Sequence, residues 1–259
     1  QNHLSALLTE ELGVSIPAVR VEAACASGGL AVAQACLAIN SGQYKTVLVV
    51  GVEKMTDLPT KQVSNGLMTA AFHSEQASGL SFVGLYALMA RQYLETYSAE
   101  ERDLAYPAVK NHFHASLNKK AHFSFPISLE QVLQSPLIAS PLRLFECSPI
   151  SDGAAALVLA DPEVVKNCLE PVYITASSMV SESLSLESRS GLTEIESTKK
   201  AAEKAYQQAG LGPKDLSLLE VHDCFSIAEI IALEDLGVYP RGEGYLGLRN
   251  GEVRLGGKQ

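Results

Sequence analysis

The sequence predicts an α/β fold with more than two layers. Residues 1–56 alternate between helical and strand patterns, and residues 172–236 repeat that alternation, which is typical of parallel sheets with covering helices. The predicted helix over 30–39 has Gln34 as its one polar residue, and the strand over 46–52 is apolar on both faces. A helix and a strand without a polar face are expected to be covered on several sides, which requires more than two layers.

An insertion interrupts the first block. The elements before it are an amphipathic helix, a strand over 18–23, the apolar helix over 30–39 and the strand over 46–52. Residues 57–140 are rich in turn-forming prolines and lack a buried strand pattern, whereas residues 154–160 form another buried strand. We interpret 57–140 as an inserted domain, and 1–56 with 141–165 as the N-terminal half around it.

The second block, 171–259, has a similar layout. Its predicted elements are a strand over 172–177, a helix over 197–209 closed by Gly210, a turn opening at Pro213, a strand over 218–221, and a helix that runs to about Leu236 and ends at Gly237. Glycine after the last helical residue is a common helix end, because it adopts the left-handed conformation without steric cost.

Composition excludes several classes of protein. The chain has 259 residues, of which 47% are hydrophobic, enough for a sizeable core. Its net charge of −9 argues against nucleic-acid binding, which needs a basic surface. No apolar run is long enough for a membrane span, and no signal peptide is visible. Five cysteines without metal-binding spacing indicate a reducing compartment, and we expect the protein to be cytoplasmic.

Cys25 is the first candidate for catalysis. It lies between a short apolar run and Gly28-Gly29, where the apolar helix begins. Free backbone N–H groups at a helix start favour the thiolate, which is the nucleophilic form of cysteine. The pattern therefore indicates covalent catalysis. A buried structural cysteine fits the local pattern equally well.

His222 is the second candidate. It follows the predicted strand over 218–221 and precedes a helix that Asp223 or Ser226 could cap. Ligands of open α/β sheets collect at the carboxyl ends of strands, so His222 could bind a water or donate a hydrogen bond to an oxyanion. A histidine that only caps the helix or bonds a backbone carbonyl is the alternative. Phe225 is expected in the core or in the wall of the crevice.

Four segments together carry a resemblance to a known family. They are Val21-Glu22-Ala23-Ala24-Cys25-Ala26-Ser27-Gly28-Gly29, Gly51-Val52-Glu53-Lys54-Met55, Pro149-Ile150-Ser151-Asp152-Gly153-Ala154-Ala155-Ala156 and His222-Asp223-Cys224-Phe225. These segments resemble the thiolases, most closely the branch of the sterol-carrier-protein thiolases and the archaeal-type acetyl-CoA acetyltransferases. The resemblance implies a five-layered αβαβα fold of two similar halves with an inserted loop domain that covers coenzyme A, incomplete in this chain.

The resemblance also implies roles for individual residues. Cys25 matches the acylated nucleophile, His222 matches the residue that holds a water in an oxyanion hole, and Phe225 matches a residue that lines the acyl pocket. Acyl-CoA and CoA would be substrates, so no cofactor or metal is expected. A homodimer or tetramer, and a small accessory OB-fold-like protein, are the expected partners. A eukaryotic member would be peroxisomal.

A basic run lies in the predicted loop domain. It comprises Lys110, His112, His114, Lys119, Lys120 and His122, without an acidic residue among them. Because the loop domain of thiolases covers CoA, we expect Lys110, His112 and His114 to meet its phosphates. The alternative is a solvated helix face.

Two motifs of the family do not occur in the chain. Thiolases need a Gly-His-Pro and a Cys-x-Gly motif, both expected beyond Gly257, and the first strand and helix are expected upstream of Gln1. We therefore expect residues 1–259 alone not to turn over. The alternatives are another condensing enzyme such as a ketoacyl synthase, a non-catalytic thiolase-like scaffold, and a cysteine hydrolase using Cys25 and His222, which adjacent His222 and Asp223 disfavour.

Overall fold

The computed structural model describes residues 3–166 and 168–257. Its helices are α1 (Leu4–Glu11), α2 (Ser27–Asn40), α3 (Thr60–Met68), α4 (His73–Ala77), α5 (Phe82–Tyr97), α6 (Ala105–Ser116), α7 (Leu129–Gln134), α8 (Glu196–Ala209), α9 (Ser226–Asp235) and α10 (Gly244–Arg249). Its strands are β1 (Thr46–Glu53), β2 (Leu137–Ala139), β3 (Leu142–Arg143) and β4 (Gly153–Ala160).

The chain divides into two compact units. The first unit comprises Gln1–Glu53 and Gly153–Tyr173, and the second comprises Lys54–Asp152 and Ile174–Gln259. The second unit therefore contains both the predicted insertion and the following block. The proposed division into two halves and a loop domain stays a prediction.

The first unit is built on one pair of strands. β1 and β4 are antiparallel, with a continuous register from Thr46 opposite Ala160 to Glu53 opposite Gly153, and α2 packs against both. The predictions of a helix at α2 and of strands at β1 and β4 are confirmed, but the expected burial of the two strands is not, because their residues are half-buried or exposed in this unit. The expected parallel pairing is wrong for these two strands. After residues 54–152, the chain enters β4 in the direction opposite to that of β1.

Two further expectations differ from the structure. Residues 18–23, 172–177 and 218–221 lie outside the assigned strands, because a strand forms only where a neighbour pairs with its backbone, and composition does not identify that neighbour. On α2, expected to be buried on several sides, Ala33, Ala35 and Ile39 are buried but Leu37 is 59% exposed. In its own unit, the strands that α2 contacts are β1 and β4.

The second unit has its core around α5 and α9. Tyr93 of α5 and Ile227, Ile230 and Ile231 of α9 are fully buried in one cluster. α8 ends where Gly210 adopts a φ of 68°, and α9 ends one residue before Leu236, as predicted. Among the described residues, no helix is both long enough and apolar enough to cross a membrane.

Candidate functional site

Cys25 lies in a tight turn at the start of α2. The turn is a 3₁₀ helix over Ala24–Ala26, and the cysteine is exposed. Ser27 Oγ accepts a hydrogen bond from Ala23 N at 2.8 Å and donates one to Ala24 O at 2.7 Å, which closes the turn. Ala24 has a φ of 46°, a left-handed conformation that costs an L-residue roughly 1–2 kcal/mol. The sequence prediction that Cys25 stands at a helix start is confirmed.

His222 lies on an irregular segment just before α9, and its side chain is exposed. The predicted caps of α9 are wrong, since Phe225 occupies the N-cap position and no side chain caps the helix. Asp223 instead accepts a hydrogen bond from Asn111 Nδ2 at 2.6 Å. Because Asp223 binds a side chain of α6, its carboxylate does not cap α9.

Phe225 anchors the motif in the core of the second unit. It is 5% exposed, and its ring lies 4.5 Å from that of Tyr86 and 6.1 Å from that of Phe82, measured between centroids. Its backbone forms an isolated antiparallel bridge with Cys147, and Ser148 N donates to Cys224 O at 2.9 Å. The core position is therefore confirmed, while contact with an acyl chain stays a prediction.

The basic run of α6 is bonded within the protein. Lys110 Nζ lies 2.6 Å from Oε1 of Glu229, whose side chain is 3% exposed. His112 Nδ1 lies 3.1 Å from Phe125 O, and His114 Nε2 accepts from Leu255 N at 3.0 Å. Burial, and then the Lys110 ammonium, lower the pKa of His114, which keeps it a neutral acceptor. The roles of Lys110, His112 and His114 in binding CoA stay predictions.

Asp152 joins two of the motifs that carry the resemblance. Its Oδ1 accepts from the backbone N–H groups of Met55 and Thr56 at 2.9 and 3.0 Å, and its Oδ2 from Lys54 Nζ and Thr56 Oγ1, both at 2.6 Å. These hydrogen bonds, that from Lys54 first, hold the pKa of Asp152 well below its ordinary value. Both motifs are visible in the sequence, but the sequence does not predict that they contact each other through residues up to 98 positions apart.

Glu146, which is buried, and Cys147, which is half-buried, are titratable groups that sequence reasoning also missed. Burial raises the pKa of Glu146 to about 7, although its carboxylate accepts a hydrogen bond from Arg143 N at 2.7 Å. Burial likewise raises the pKa of the Cys147 thiol to about 12, so it stays protonated near neutral pH. A conspicuous sequence signal is lacking, because the burial of both residues depends on tertiary packing.

The structure brings some of the predicted residues together within one unit. Lys110 and the segment that carries His222 are linked through Asn111, Asp223 and Glu229, all in the second unit. Cys25 belongs to the first unit. In the part of the chain that the structure describes, no group of histidine, cysteine and acidic residues is arranged to bind a metal ion.

Family models match both parts of the chain. The model described as "Thiolase, N-terminal domain" matches residues 2–163, and the one described as "Thiolase C-terminal domain-like" matches residues 178–259.

Two archaeal proteins named acetyl-CoA acetyltransferase are similar over nearly all of the chain. That of Methanothermobacter thermautotrophicus is 43% identical over 99% of the chain and 67% of its own length. That of Methanocaldococcus jannaschii is 44% identical over 94% of the chain and 63% of its own length. The chain thus spans about two thirds of the length of these relatives.

Solved structures agree with the family models. A structure named "Ltp2-ChsH2(DUF35) aldolase" has a TM-score of 0.76 at 27% identity, covering 89% of this chain and 62% of that chain. The human mitochondrial 3-ketoacyl-CoA thiolase has a TM-score of 0.67 at 16% identity, covering 96% and 77%, which shows a shared fold. The α/β architecture is therefore that of the thiolases, and the chain belongs to the thiolase family.

Proposed function

We propose that the full-length protein is a thiolase-type acyltransferase that acts through an acyl-cysteine at Cys25. One observation carries the proposal most directly. Cys25 is exposed in a strained turn at a helix start, in a chain that thiolase family models match on both sides of residue 170. The names of the two archaeal relatives support acetyl-CoA as one of the substrates.

The chemistry follows from the properties of a thiolate. In the cleavage direction, Cys25 Sγ attacks the 3-keto carbon of a 3-oxoacyl-CoA and forms a C–S bond. The bond between C2 and C3 then breaks, and its electron pair leaves as the enolate of acetyl-CoA, which a general acid protonates. The thiolate of a second CoA attacks the acyl-cysteine, forms acyl-CoA and releases the Cys25 thiolate. Condensation of two acetyl-CoA molecules is the same sequence reversed.

His222 would stabilise the charge that forms on the thioester oxygen of the enolate. An exposed imidazole on the segment before α9 can hold a water that donates to that oxygen. Removal of one oxyanion donor typically lowers kcat about 100-fold to 1,000-fold. Phe225 would line the acyl pocket, and Lys110, His112 and His114 of α6 would meet the CoA phosphates. CoA is a substrate in this scheme, so we propose no cofactor.

We further propose a small accessory protein as a partner, with an OB-fold-like domain, beside a homodimer or tetramer of the chain itself. The structural neighbour at 27% identity is named as an assembly of Ltp2 with ChsH2(DUF35), which supports a second component of this kind. A cytoplasmic location, peroxisomal in a eukaryote, stays a prediction.

The test is an intact-mass spectrum of the full-length protein before and after acetoacetyl-CoA. We expect one acetyl group on the wild type and none on Cys25→Ala. Cys168→Ala is the matched control, because Cys168 is another exposed cysteine, and it should be acetylated like the wild type. An unmodified wild type, or acetylation that persists in Cys25→Ala, would refute the proposal and favour the non-catalytic scaffold or a different nucleophile.

A further inference from the structure

The Asn111 side chain bridges two carboxylates near the candidate oxyanion residue. Its amide Nδ2 donates to Asp223 Oδ2 at 2.6 Å and to Glu229 Oε2 at 2.8 Å. A side-chain amide has two N–H donors, so both are used. Asn111 lies on α6, Asp223 directly follows His222, and Glu229 lies in the first turn of α9. One side chain of α6 thus contacts both the segment before α9 and the first turn of α9, which are 112 and 118 positions away along the chain.

Glu229 gives this bridge a rigid base. Its side chain is 3% exposed and is held by Lys110 Nζ at 2.6 Å as well as by Asn111. Hydrogen bonds to ionised acceptors are shorter and about twice as strong as neutral ones, so the amide is restrained on the Glu229 side. The second N–H then has a fixed direction, in which it meets Asp223.

The placement of His222 depends on its backbone. Within residues 3–166 and 168–257, the structure gives the His222 ring no hydrogen-bond partner, and the ring is exposed. On its C-terminal side, the first restraint is the carboxylate of Asp223, one residue away. The next is at Cys224, whose carbonyl accepts a hydrogen bond from Ser148 N at 2.9 Å, followed by Phe225, which is buried in the core. Without the bond from Asn111, the backbone at His222 and Asp223 would lose the nearer restraint.

We propose that Asn111 is a positioning residue for His222, acting through Asp223. The inference rests on the proposed function, in which His222 serves the step that forms or breaks the carbon–carbon bond. Acetylation of Cys25 by acetyl-CoA does not need that step. A looser His222 should therefore slow turnover and leave the acetylation of Cys25 intact.

The first experiment compares Asn111→Ala with the wild-type full-length protein. We expect kcat for thiolytic cleavage of acetoacetyl-CoA to fall about tenfold to 100-fold, the size of effect that misplacement by about 1 Å produces, with KM changed less than twofold to threefold. Asn65→Ala, on the exposed surface of α3, is the matched control and should keep the wild-type kcat. Intact mass should show Cys25 acetylated from acetyl-CoA in all three proteins.

Substitutions at Asp223 leave the hydrogen bond between Asn111 and Glu229 in place and should therefore preserve folding. Asp223→Asn retains an oxygen that can accept from Asn111 and should keep kcat within about threefold of the wild type. Asp223→Leu removes the acceptor and should reproduce the loss of Asn111→Ala. Because both changes remove the same bond, the double variant should be no slower than the slower single variant.

The outcomes separate this inference from the proposed function. If wild-type Cys25 is not acetylated, the proposed function fails. If Cys25 is acetylated but Asn111→Ala and Asp223→Leu both turn over at the wild-type rate, the positioning role is refuted and the thiolase proposal stands. Additive losses in the double variant, or equal losses in Asp223→Asn and Asp223→Leu, would also overturn it, since they indicate separate or charge-dependent effects.

Discussion

Replacement of Lys110 by methionine tests how the buried carboxylate of Glu229 is stabilised. The ammonium of Lys110 lies 2.6 Å from Oε1 of Glu229, and the two side chains are 17% and 3% exposed. Methionine keeps an unbranched apolar side chain of similar length, so the substitution removes the charge and preserves most of the packing. The variant therefore leaves a buried carboxylate that has lost its cationic partner.

The expected cost follows from this geometry. Removal of one partner of a buried ion pair typically destabilises a protein by about 3–5 kcal/mol, because the remaining charge is uncompensated. Here Asn111 still donates to Oε2 at 2.8 Å, and Lys110 is partly exposed, so we expect a loss of about 2–3 kcal/mol. For a domain of 150–250 residues, each kcal/mol shifts Tm by about 2–4 °C, which predicts a decrease of roughly 4–12 °C.

The double variant Lys110→Met/Glu229→Leu separates charge from packing. It removes both charges and leaves only one N–H of Asn111 without its acceptor, at a cost of about 1 kcal/mol. The double variant should therefore be more stable than Lys110→Met alone. An exposed lysine beyond α6, replaced in the same way as Lys119→Met, is the control and should change the free energy of unfolding by less than about 0.5 kcal/mol.

Urea unfolding of the full-length protein, followed by far-ultraviolet circular dichroism, measures the wild type and four variants, which are Lys110→Met, Glu229→Leu, the double variant and Lys119→Met. If the free energy of unfolding of Lys110→Met is within about 0.5 kcal/mol of the wild-type value, the Glu229 carboxylate does not depend on Lys110 and the reasoning is refuted. If the double variant loses the sum of the two single losses, the two side chains are not coupled and the ion pair contributes nothing.

Substitutions at three further residues test other contacts, each by urea unfolding. Because burial raises the pKa of Glu146 from 4.5 to about 7, the free energy of unfolding of the wild type should fall by up to about 3 kcal/mol as pH rises through that range. The Glu146→Gln variant should not show this fall, and an equal pH dependence in the two proteins would contradict the prediction. Asp152→Ala, which removes the acceptor shared by Lys54, Met55 and Thr56, should lower the urea midpoint at pH 7 and converge with the wild type as pH falls below 3.8, because the pKa of Asp152 is depressed in the folded state. Phe225→Ala, which empties a buried site against Tyr86, should cost about 3–5 kcal/mol, and Phe225→Leu clearly less; similar costs would count against ring packing.

The fold could be predicted from the sequence where local pattern decides it. The helix α8 is bounded by Gly210 with a φ of 68°, and β1 and β4 are continuous apolar runs, so each was predicted from its own residues. The antiparallel pairing of β1 with β4 joins residues that lie far apart, and no local signal specifies it. For the same reason, the extended segment over 18–23 could not be separated from a paired strand.

The residues of the candidate site likewise differ in whether local sequence indicates them. Cys25 was predicted because the start of α2 is visible in the sequence, whereas the strand predicted to end before His222 lies outside the assigned strands. Asn111 was missed, because its partners Asp223 and Glu229 are 112 and 118 residues away, and an asparagine in a helix is unremarkable in sequence. Long-range hydrogen bonds of this kind depend on how α6 packs against α9, which only the tertiary structure specifies.

The basic run of α6 shows why a charge pattern does not by itself indicate a phosphate site. In a chain with a net charge of −9, Lys110 was expected to be available to an anionic ligand, but its ammonium is already bound to Glu229. If Lys110 turned away from Glu229 to bind a phosphate, a carboxylate that is 3% exposed would lose its cation. Binding of CoA by such a movement would therefore compete with the stability of the second unit. If Lys110→Met lowers stability without raising KM for CoA, the lysine serves the fold, and the CoA phosphates must be bound elsewhere.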